Sequence, residues 1–458
     1  MSYKAYYEYK STGIEWPSEI PSFWNMTKLR YVFSFAKGLT ITKEHLQDEG
    51  IPCVNYGDVH SKYGFEVDPK VHALKYVNEK YLKSNSESLL SKGDLVFADT
   101  SEDLDGAGNF TQLITDDIVF AGYHTIIARP LDGRHNRFYA YLLDSEEVRL
   151  QIKKIVKGVK VFSITQEILR NISIWLPSEV EQFRISVFLD YETSKINRLI
   201  CRQERLIELL KEKRQAVISD VVTRGLNLDV KLKISGSEWL GEVPEHWGLS
   251  RIGWLCKVGN GSTPNRDNQS YWLSGDYPWL NSSKVNDGIV TSAEQFVTSK
   301  ALLECSLPLV KKGSVIIAIT GEGKTRGTSA LLMMDATINQ HIAYITPLSN
   351  NMILPEYLHL WLENKYEQIR FESSGGGSTK AAITCSDVKK YIIPLPPLNE
   401  QKVIVADVED KKRCFNTLVT YCEHQISLLK ERRSALISAA VTGKIDVLNW
   451  QPNAKDAA

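Results

Sequence analysis

An excess of charge of either sign is missing from this chain: lysine plus arginine and aspartate plus glutamate both total 55 in 458 residues. A domain that binds nucleic acid alone is usually basic, so the balance argues against a tight free-standing DNA binder. It does not exclude one whose partners supply much of the phosphate contact. Long apolar runs are missing too. The most apolar stretches, such as Val315 to Ile319, are far too short to cross a bilayer. The start, Met1 to Lys10, is polar and tyrosine-rich, so no secretory signal is expected. Seven cysteines, odd in number and without a C-x-x-C pair, predict reduced thiols in a cytoplasmic protein rather than a disulfide or zinc framework. What remains is an ordinary globular composition, 43% hydrophobic and 24% charged, over a length that predicts two or more units.

What the chain does have is an internal duplication. Under a shift of 219, residues 158–223 fall on 377–442 without a gap, and 23 of 66 positions are identical. Leu176-Pro177 with Glu181-Gln182 match Leu395-Pro396 with Glu400-Gln401, and Leu209 to Glu212 match Leu428 to Glu431. Ile218-Ser219 and Val222-Thr223 match Ile437-Ser438 and Val441-Thr442. A second register joins the heads of the halves: Glu15, Trp16, Glu19, Pro21 and Trp24 recur as Glu238, Trp239, Glu242, Pro244 and Trp247. Between head and tail the likeness fades, so two copies of one frame hold two different interiors. The repeated tryptophans belong to the frame and are expected as core anchors.

Four segments follow. Residues 1–178 mix short β-like runs with turns: Leu95 to Ala98, Val119 to Ala121, His124 to Ala128 and Ile172 to Leu176. Residues 179–225 read as a long helix, with Pro177 and Ser178 at its start and Gly225 closing it. Its apolar 3,4 pattern runs through Leu189, Ile196, Leu199, Leu206, Leu210, Val217 and Val221. A polar connector, 226–237, leads into a second mixed region ending at 396, with strand-like runs at Trp279-Leu280, Val315 to Thr320 and Ile342 to Thr346. A glycine-rich Ser373 to Thr379 loop is expected to be flexible. Residues 397–458 repeat the helix, with Phe415, Leu418, Leu429 and Leu436 apolar, Gly443 at its end and a frayed tail. Helices of roughly 40 residues span about 60 Å, and an apolar stripe that long needs a partner. The duplicate is the obvious one. Antiparallel pairing as a coiled coil would relate two α/β (α+β) modules by a pseudo-twofold axis. Two similar modules held apart by a rigid spacer suit a two-part, asymmetric target such as DNA half-sites about one helical turn, ~34 Å, apart.

The chain here resembles the specificity (S) subunit of type I restriction–modification systems. The residues carrying this are Trp16 with Ile20-Pro21 and Trp24, Trp239 with Val243-Pro244 and Trp247, the Leu-Pro…Glu-Gln helix starts, and the helix ends Ile218 to Gly225 and Ile437 to Gly443. The likeness spans nearly the whole chain, in the family's order of recognition domain, helix, recognition domain, helix. The resemblance implies a non-catalytic DNA-recognition subunit that binds two methyltransferase subunits through its helical region. The assembly modifies adenine in a bipartite site and, with motor-nuclease subunits, cleaves unmodified DNA using ATP. S-adenosylmethionine, ATP and magnesium would then serve the partners, with no cofactor and no metal in this chain. An N/D-P-P-Y/F adenine-methylation motif is indeed absent.

Polar loop residues at comparable places in the two halves are the candidates for base and phosphate contact. In the first half they are Thr40, Thr42, Lys43, Asn55, Tyr56, His60, Thr100, His124 and Lys160. In the second they are Asn260, Ser262, Thr263, Asn265, Asn281, Ser283, Lys284, Thr320, Lys324, Arg326, Asn339, Gln340, His341 and Lys380. Asn and Gln can bond adenine bidentately, and Arg or Lys guanine. For the helix pair and its partners the candidates are Ile196, Leu199, Leu206, Leu210, Val217, Phe415, Leu418, Leu429 and Leu436. Two decoys are set aside. Ala318 to Thr325 fits a loose P-loop pattern, but no helix-opening sequence follows its Lys324-Thr325. Asp407, Glu409 and Lys411 mimic a nuclease site at a helical spacing that does not converge. Against recognition stand two alternatives: an interaction scaffold that binds no DNA, and a P-loop ATPase built on Lys324.

Overall fold

The computed structural model describes residues 4–156, 161–237, 240–321, 323–374 and 382–452. The chain divides into two units, one of residues 1–204 with 423–458 and one of residues 205–422. The division runs through both long helices, Glu179–Arg224 and Leu398–Val441. In the first unit the start of the first helix packs with the end of the second: Ile185, Phe188 and Leu189 share a core with Ile437, Ala440 and Val441. In the other unit the end of the first meets the start of the second. There Ile218, Val221 and Val222 share a core with Ile404 and Val408, and Arg214 donates to Asn416 Oδ1 at 2.9 Å. Within each unit the pairing is therefore antiparallel.

Local chemistry sets the helix ends. Ser178 Oγ accepts from the backbone N–H of Glu181 and its hydroxyl donates to the Glu181 carboxylate, a cap three residues wide. Gln182 and Gln401 donate to the carbonyls of Pro177 and Pro396, at 3.0 and 2.9 Å, locking each proline to the first helical turn. Gly225 and Gly443 follow the last turns at φ +77° and +73°, the left-handed region a helix-closing glycine occupies.

The first unit holds a five-stranded sheet in the order Phe33–Lys37, Thr125–Pro130, Leu95–Ala98, Phe110–Leu113, Phe65–Val67. The second unit repeats it as Cys256–Asn260, Ile342–Pro347, Val315–Ala318, Ser329–Leu332, Ile289–Val290. In both the first three pairings are antiparallel and the last is parallel. A smaller sheet also recurs: Ile51–Val54 lies between antiparallel Lys75–Val77 and parallel Val119–Ala121, as Tyr277–Leu280 does between Gln295–Val297 and Thr337–Ile338. The two modules thus share one topology although the sequence likeness between their interiors fades. Central strands such as Leu95–Ala98 and Val315–Ala318 are buried at every position. Any apolar residue satisfies such a strand, so identity drifts while pairing persists.

Three further expectations change. The connector 226–237 carries a strand, Leu232–Ile234, paired with Glu242–Pro244. The segment after Gly443 is packed rather than frayed up to Trp450: Val447 is buried, and the Trp450 ring meets Phe188 and Tyr191 edge-on at 5.1 Å each. Of the repeated tryptophans, Trp24 and Trp247 are fully buried. Trp16 is only half-buried, with the Lys154 ammonium 5.6 Å from its ring centre, and Trp239 lies outside the described residues. Glycines 375–377, Ser378 and Thr379 of the glycine-rich loop also lie outside them.

The sheet of the second unit leans on the helix Pro355–Asn364, where His359 Nδ1 lies 3.1 Å from Ser329 Oγ. Burial lowers the His359 pKa, Glu363 working against it. A histidine held neutral on folding contributes stability fully present above its unfolded pKa of about 6.5 and lost as pH falls through the lower folded value. Acidification below pH 6.5 should therefore destabilise this unit, and His359→Gln should flatten that slope. Chemical denaturation from pH 7 to 5 measures it; an unchanged slope in the variant would remove His359 from the account.

Candidate nucleic-acid interface

Three backbone hydrogen bonds build the same loop platform in each unit. In the first, Leu39 N–H donates to Ala121 O, Gly122 N–H to Val54 O and Asp99 N–H to His124 O, at 2.8, 2.7 and 3.1 Å. In the second, Ser262 N–H donates to Ile338 O, Asn339 N–H to Leu280 O and Ile319 N–H to His341 O, at 3.1, 3.0 and 2.9 Å. These bonds gather loops from separate strands at one end of the sheets. Most of the sequence-derived candidates stand on them.

In the first unit Thr40, Thr42, Lys43 and His124 are exposed, while Tyr56, His60 and Thr100 are half-buried. The rings of Tyr56 and His60 stack at 5.2 Å and 12°. His124, at φ +55°, places Nδ1 3.2 Å from Asp99 Oδ1 and meets the Tyr123 ring edge-on at 6.0 Å. Thr42 closes a short turn with His45 and lies beyond the bonded platform. Asn55 is a correction: only 3% exposed, its side-chain amide donates to Cys53 O and its backbone N–H donates to the Asp58 carboxylate, so it is turned inward. It holds the turn that presents Tyr56. Lys160 lies outside the described residues.

In the second unit Asn260, Asn265, Ser283, Lys324, Gln340 and His341 are exposed. Asn281 accepts from Ser283 N–H at 3.0 Å, capping the turn Ser282–Asp287. Lys284 is tied to Asp287 at 2.6 Å with its side chain 13% exposed, so it is not a free cation. Asn339 and Arg326 are corrections, each 5% exposed. Asn339 accepts from His341 N–H at 3.0 Å and shapes the loop. Arg326 is drawn under a loop whose Gly323 and Lys324 carbonyls accept from Arg370 and Tyr366, both at 2.5 Å. That loop joins two antiparallel strands with no helix after it, which removes the phosphate-cradling geometry of a P-loop. Asp407 pairs with Lys411, and Lys412 with Glu363 and Glu409, so these carboxylates are ion-paired separately along the helix rather than gathered into one site. Lys380 lies outside the described residues.

An unbroken line of contacts joins Thr263, Gln340, His341 and Thr320. Thr263 Oγ1 donates to Gln340 Oε1 at 2.5 Å, Gln340 Nε2 lies 3.1 Å from His341 Nε2, and His341 Nδ1 lies 2.8 Å from Thr320 Oγ1. Beside it the Arg266 guanidinium rests over Trp272 and Trp279, at 4.0 and 4.6 Å from their ring centres. Arg266 was missed in the sequence, where nothing marks its distance to Trp279. Also missed were the first unit's carboxylates Asp99, Glu102 and Asp103. After partial burial, they raise the Tyr56 pKa.

Along the helices Ile196 is buried, and Leu210, Val217, Phe415, Leu429 and Leu436 are half-buried. Leu199, Leu206 and Leu418 are not seam residues, being 45%, 43% and 43% exposed. Two paired helices cover one stripe each, and an apolar band wider than that is left bare on its flank.

The chain matches the family described as type I restriction modification DNA specificity domain over residues 21–209 and 244–420. It is 23% identical over 446 residues to the type I restriction enzyme MjaIX specificity subunit of Methanocaldococcus jannaschii, covering 96% of this chain and 97% of that one. To the EcoKI specificity subunit of Escherichia coli K12 it is 21% identical over 457 residues, covering 96% and 92%. The fold is similar to that of a chain solved for the assembly and conformational transition of a type I R-M system, with TM-score 0.68, 18% identity and coverage of 94% and 100%. It is also similar to the HsdS subunit of Thermoanaerobacter tengcongensis, with TM-score 0.54, 18% identity and the same coverage.

Proposed function

Because the chain belongs to the type I restriction modification DNA specificity family, we propose that it is the DNA-recognition subunit of such a system, reading a bipartite asymmetric site with one half per module. The observation that carries this is the duplicated loop platform: one backbone scaffold, two different sets of exposed side chains. The subunit itself performs no chemistry in this reading. It assembles with methyltransferase and restriction subunits, which supply S-adenosylmethionine, ATP and magnesium chemistry in the cytoplasm. Two methyltransferase subunits cover the bare flanks of the helices around Leu199 and Leu428 in one unit and Leu206, Leu209, Leu418 and Tyr421 in the other, all of them exposed. Balanced net charge implies weak DNA binding by the chain alone.

The test is to express the chain with the methyltransferase encoded beside it in a methylation-free host and map adenine methylation across the genome. One bipartite motif with a fixed gap is expected. Assembly of the complex without any motif would turn the reading into an interaction scaffold.

A further inference from the structure

The line Thr263–Gln340–His341–Thr320 fixes more than a loop. Thr320 and Thr263 are hydroxyls, His341 is an imidazole, and Gln340 is the single amide between them. For the Gln340 Nε2–His341 Nε2 contact to be a hydrogen bond, the amide donates and the neutral imidazole accepts at Nε2. His341 then carries its proton on Nδ1 and donates to Thr320 Oγ1. At the other end Thr263 donates to Gln340 Oε1. A flipped amide would need Thr263 to accept and His341 to carry its proton on Nε2; in either orientation the line holds the amide in place.

Each end of that amide keeps one valence. Oε1 has a second lone pair and Nε2 a second hydrogen, neither used by a hydrogen bond among the described residues, and the residue is exposed. One acceptor beside one donor, held in plane, is the complement of the N6–H and N7 of adenine in the major groove. Guanine offers two acceptors there, cytosine a donor and thymine an acceptor, so none satisfies both ends.

We propose that Gln340 reads an A·T pair in the half-site of the second module, with Thr263 and His341 as positioning residues that set its amide. The inference rests on the DNA-recognition reading and goes beyond it by assigning one residue to one base. The pair is one other than the methylated adenine, whose modification is the readout.

The experiment compares adenine-methylation maps of the assembled system carrying the native chain, Gln340→Leu or Thr263→Val. With the native chain, the second half-site should contain an invariant A·T pair. Gln340→Leu should make that one position degenerate, with discrimination falling about tenfold to a hundredfold, while the first half-site and the gap stay unchanged. Thr263→Val should relax the same position less, and Thr263→Ser should restore it. An unchanged motif in Gln340→Leu overturns the assignment and leaves the recognition function standing. Loss of methylation at all sites in that variant also overturns it, because Gln340 would then hold the loop rather than read one pair. A native chain that assembles but yields no motif sinks the recognition reading itself, and the assignment with it.

Discussion

Gly443→Ala should destabilise the unit formed by residues 1–204 and 423–458 by about 2–4 kcal/mol, adding left-handed backbone strain to overpacking. Gly443 sits at φ +73°, and a Cβ there would lie 2.4 Å from Pro21 Cγ, 2.5 Å from its Cδ and 3.2 Å from Trp24 Cη2. Neither neighbour can give way. Pro21 is a ring in a strand paired with Tyr9, whose hydroxyl donates to Gly443 O at 2.8 Å. Trp24 is fully buried with its indole N–H on Glu181. Gly225→Ala is the same substitution at the duplicated position, φ +77°, but the Cβ meets Trp247 Cζ2 and Glu400 Oε1 at 3.0 Å each. The carboxylate can swing aside and the indole need give only a few tenths of an ångström, with nothing as close as Pro21 is to Gly443, so about 1–2 kcal/mol is expected there, chiefly the backbone strain. Chemical denaturation of the two variants measures the difference. Equal losses would mean that the packing over Gly443 is looser than its geometry indicates.

The frame was legible in sequence because its signals are local. A proline and a serine before 179 and a glycine after each last turn mark helix ends through the nearest few residues, and the observed bounds, Glu179–Arg224 and Leu398–Val441, follow them closely. That the halves are similar modules was legible; the strand order and pairing within them were not. Their strands are two to six residues long, several are buried on both faces, and pairing between chain-distant strands leaves no periodic mark. The loops could be found, since they are polar and lie between apolar runs. Which polar side chain faces outward could not. Asn55 and Tyr56 are neighbours, yet the asparagine turns in to bond Cys53 O while the tyrosine stacks on His60. Arg326, a cation in a glycine-rich loop, is buried although its neighbour Lys324 is exposed. At Asn55 the choice is made by bonds within a tight turn, to Cys53 and Asp58, and over Arg326 by a loop held from Tyr366 and Arg370, more than forty positions away; neither leaves a periodic mark in the sequence.

Divergence inside the frame itself gives the other large effect. Glu181 and Glu400 occupy the same place at the start of the two long helices. Glu181 is 2% exposed, and its Oε1 accepts from Tyr6 Oη at 2.8 Å and from Trp24 Nε1 at 3.1 Å, while Oε2 takes the Ser178 hydroxyl at 3.3 Å. Burial first, and then this carboxylate, push the Tyr6 phenol far above its ordinary pKa, so it stays a donor throughout the accessible range. Removing the carboxylate leaves two buried donors without an acceptor, each costing roughly 1–3 kcal/mol. Glu181→Ala should therefore destabilise its unit by about 3–5 kcal/mol. Glu400, by contrast, has a side chain 26% exposed and pairs with His246 at 3.0 Å, a ring 45% exposed, and no hydrogen bond joins it to Trp247 Nε1, which is buried without a partner among the described residues. A solvated pair of this kind contributes about 0–1 kcal/mol, so Glu400→Ala should be nearly silent. Parallel urea titrations of the two variants decide the matter: if Glu181→Ala is as mild as Glu400→Ala, water reaches Tyr6 and Trp24 in the folded protein. If instead only Glu181→Ala is severe, the duplicated helix starts have parted in function, one bolting Tyr6 and Trp24 to the helix and the other leaving its tryptophan to be held by packing alone.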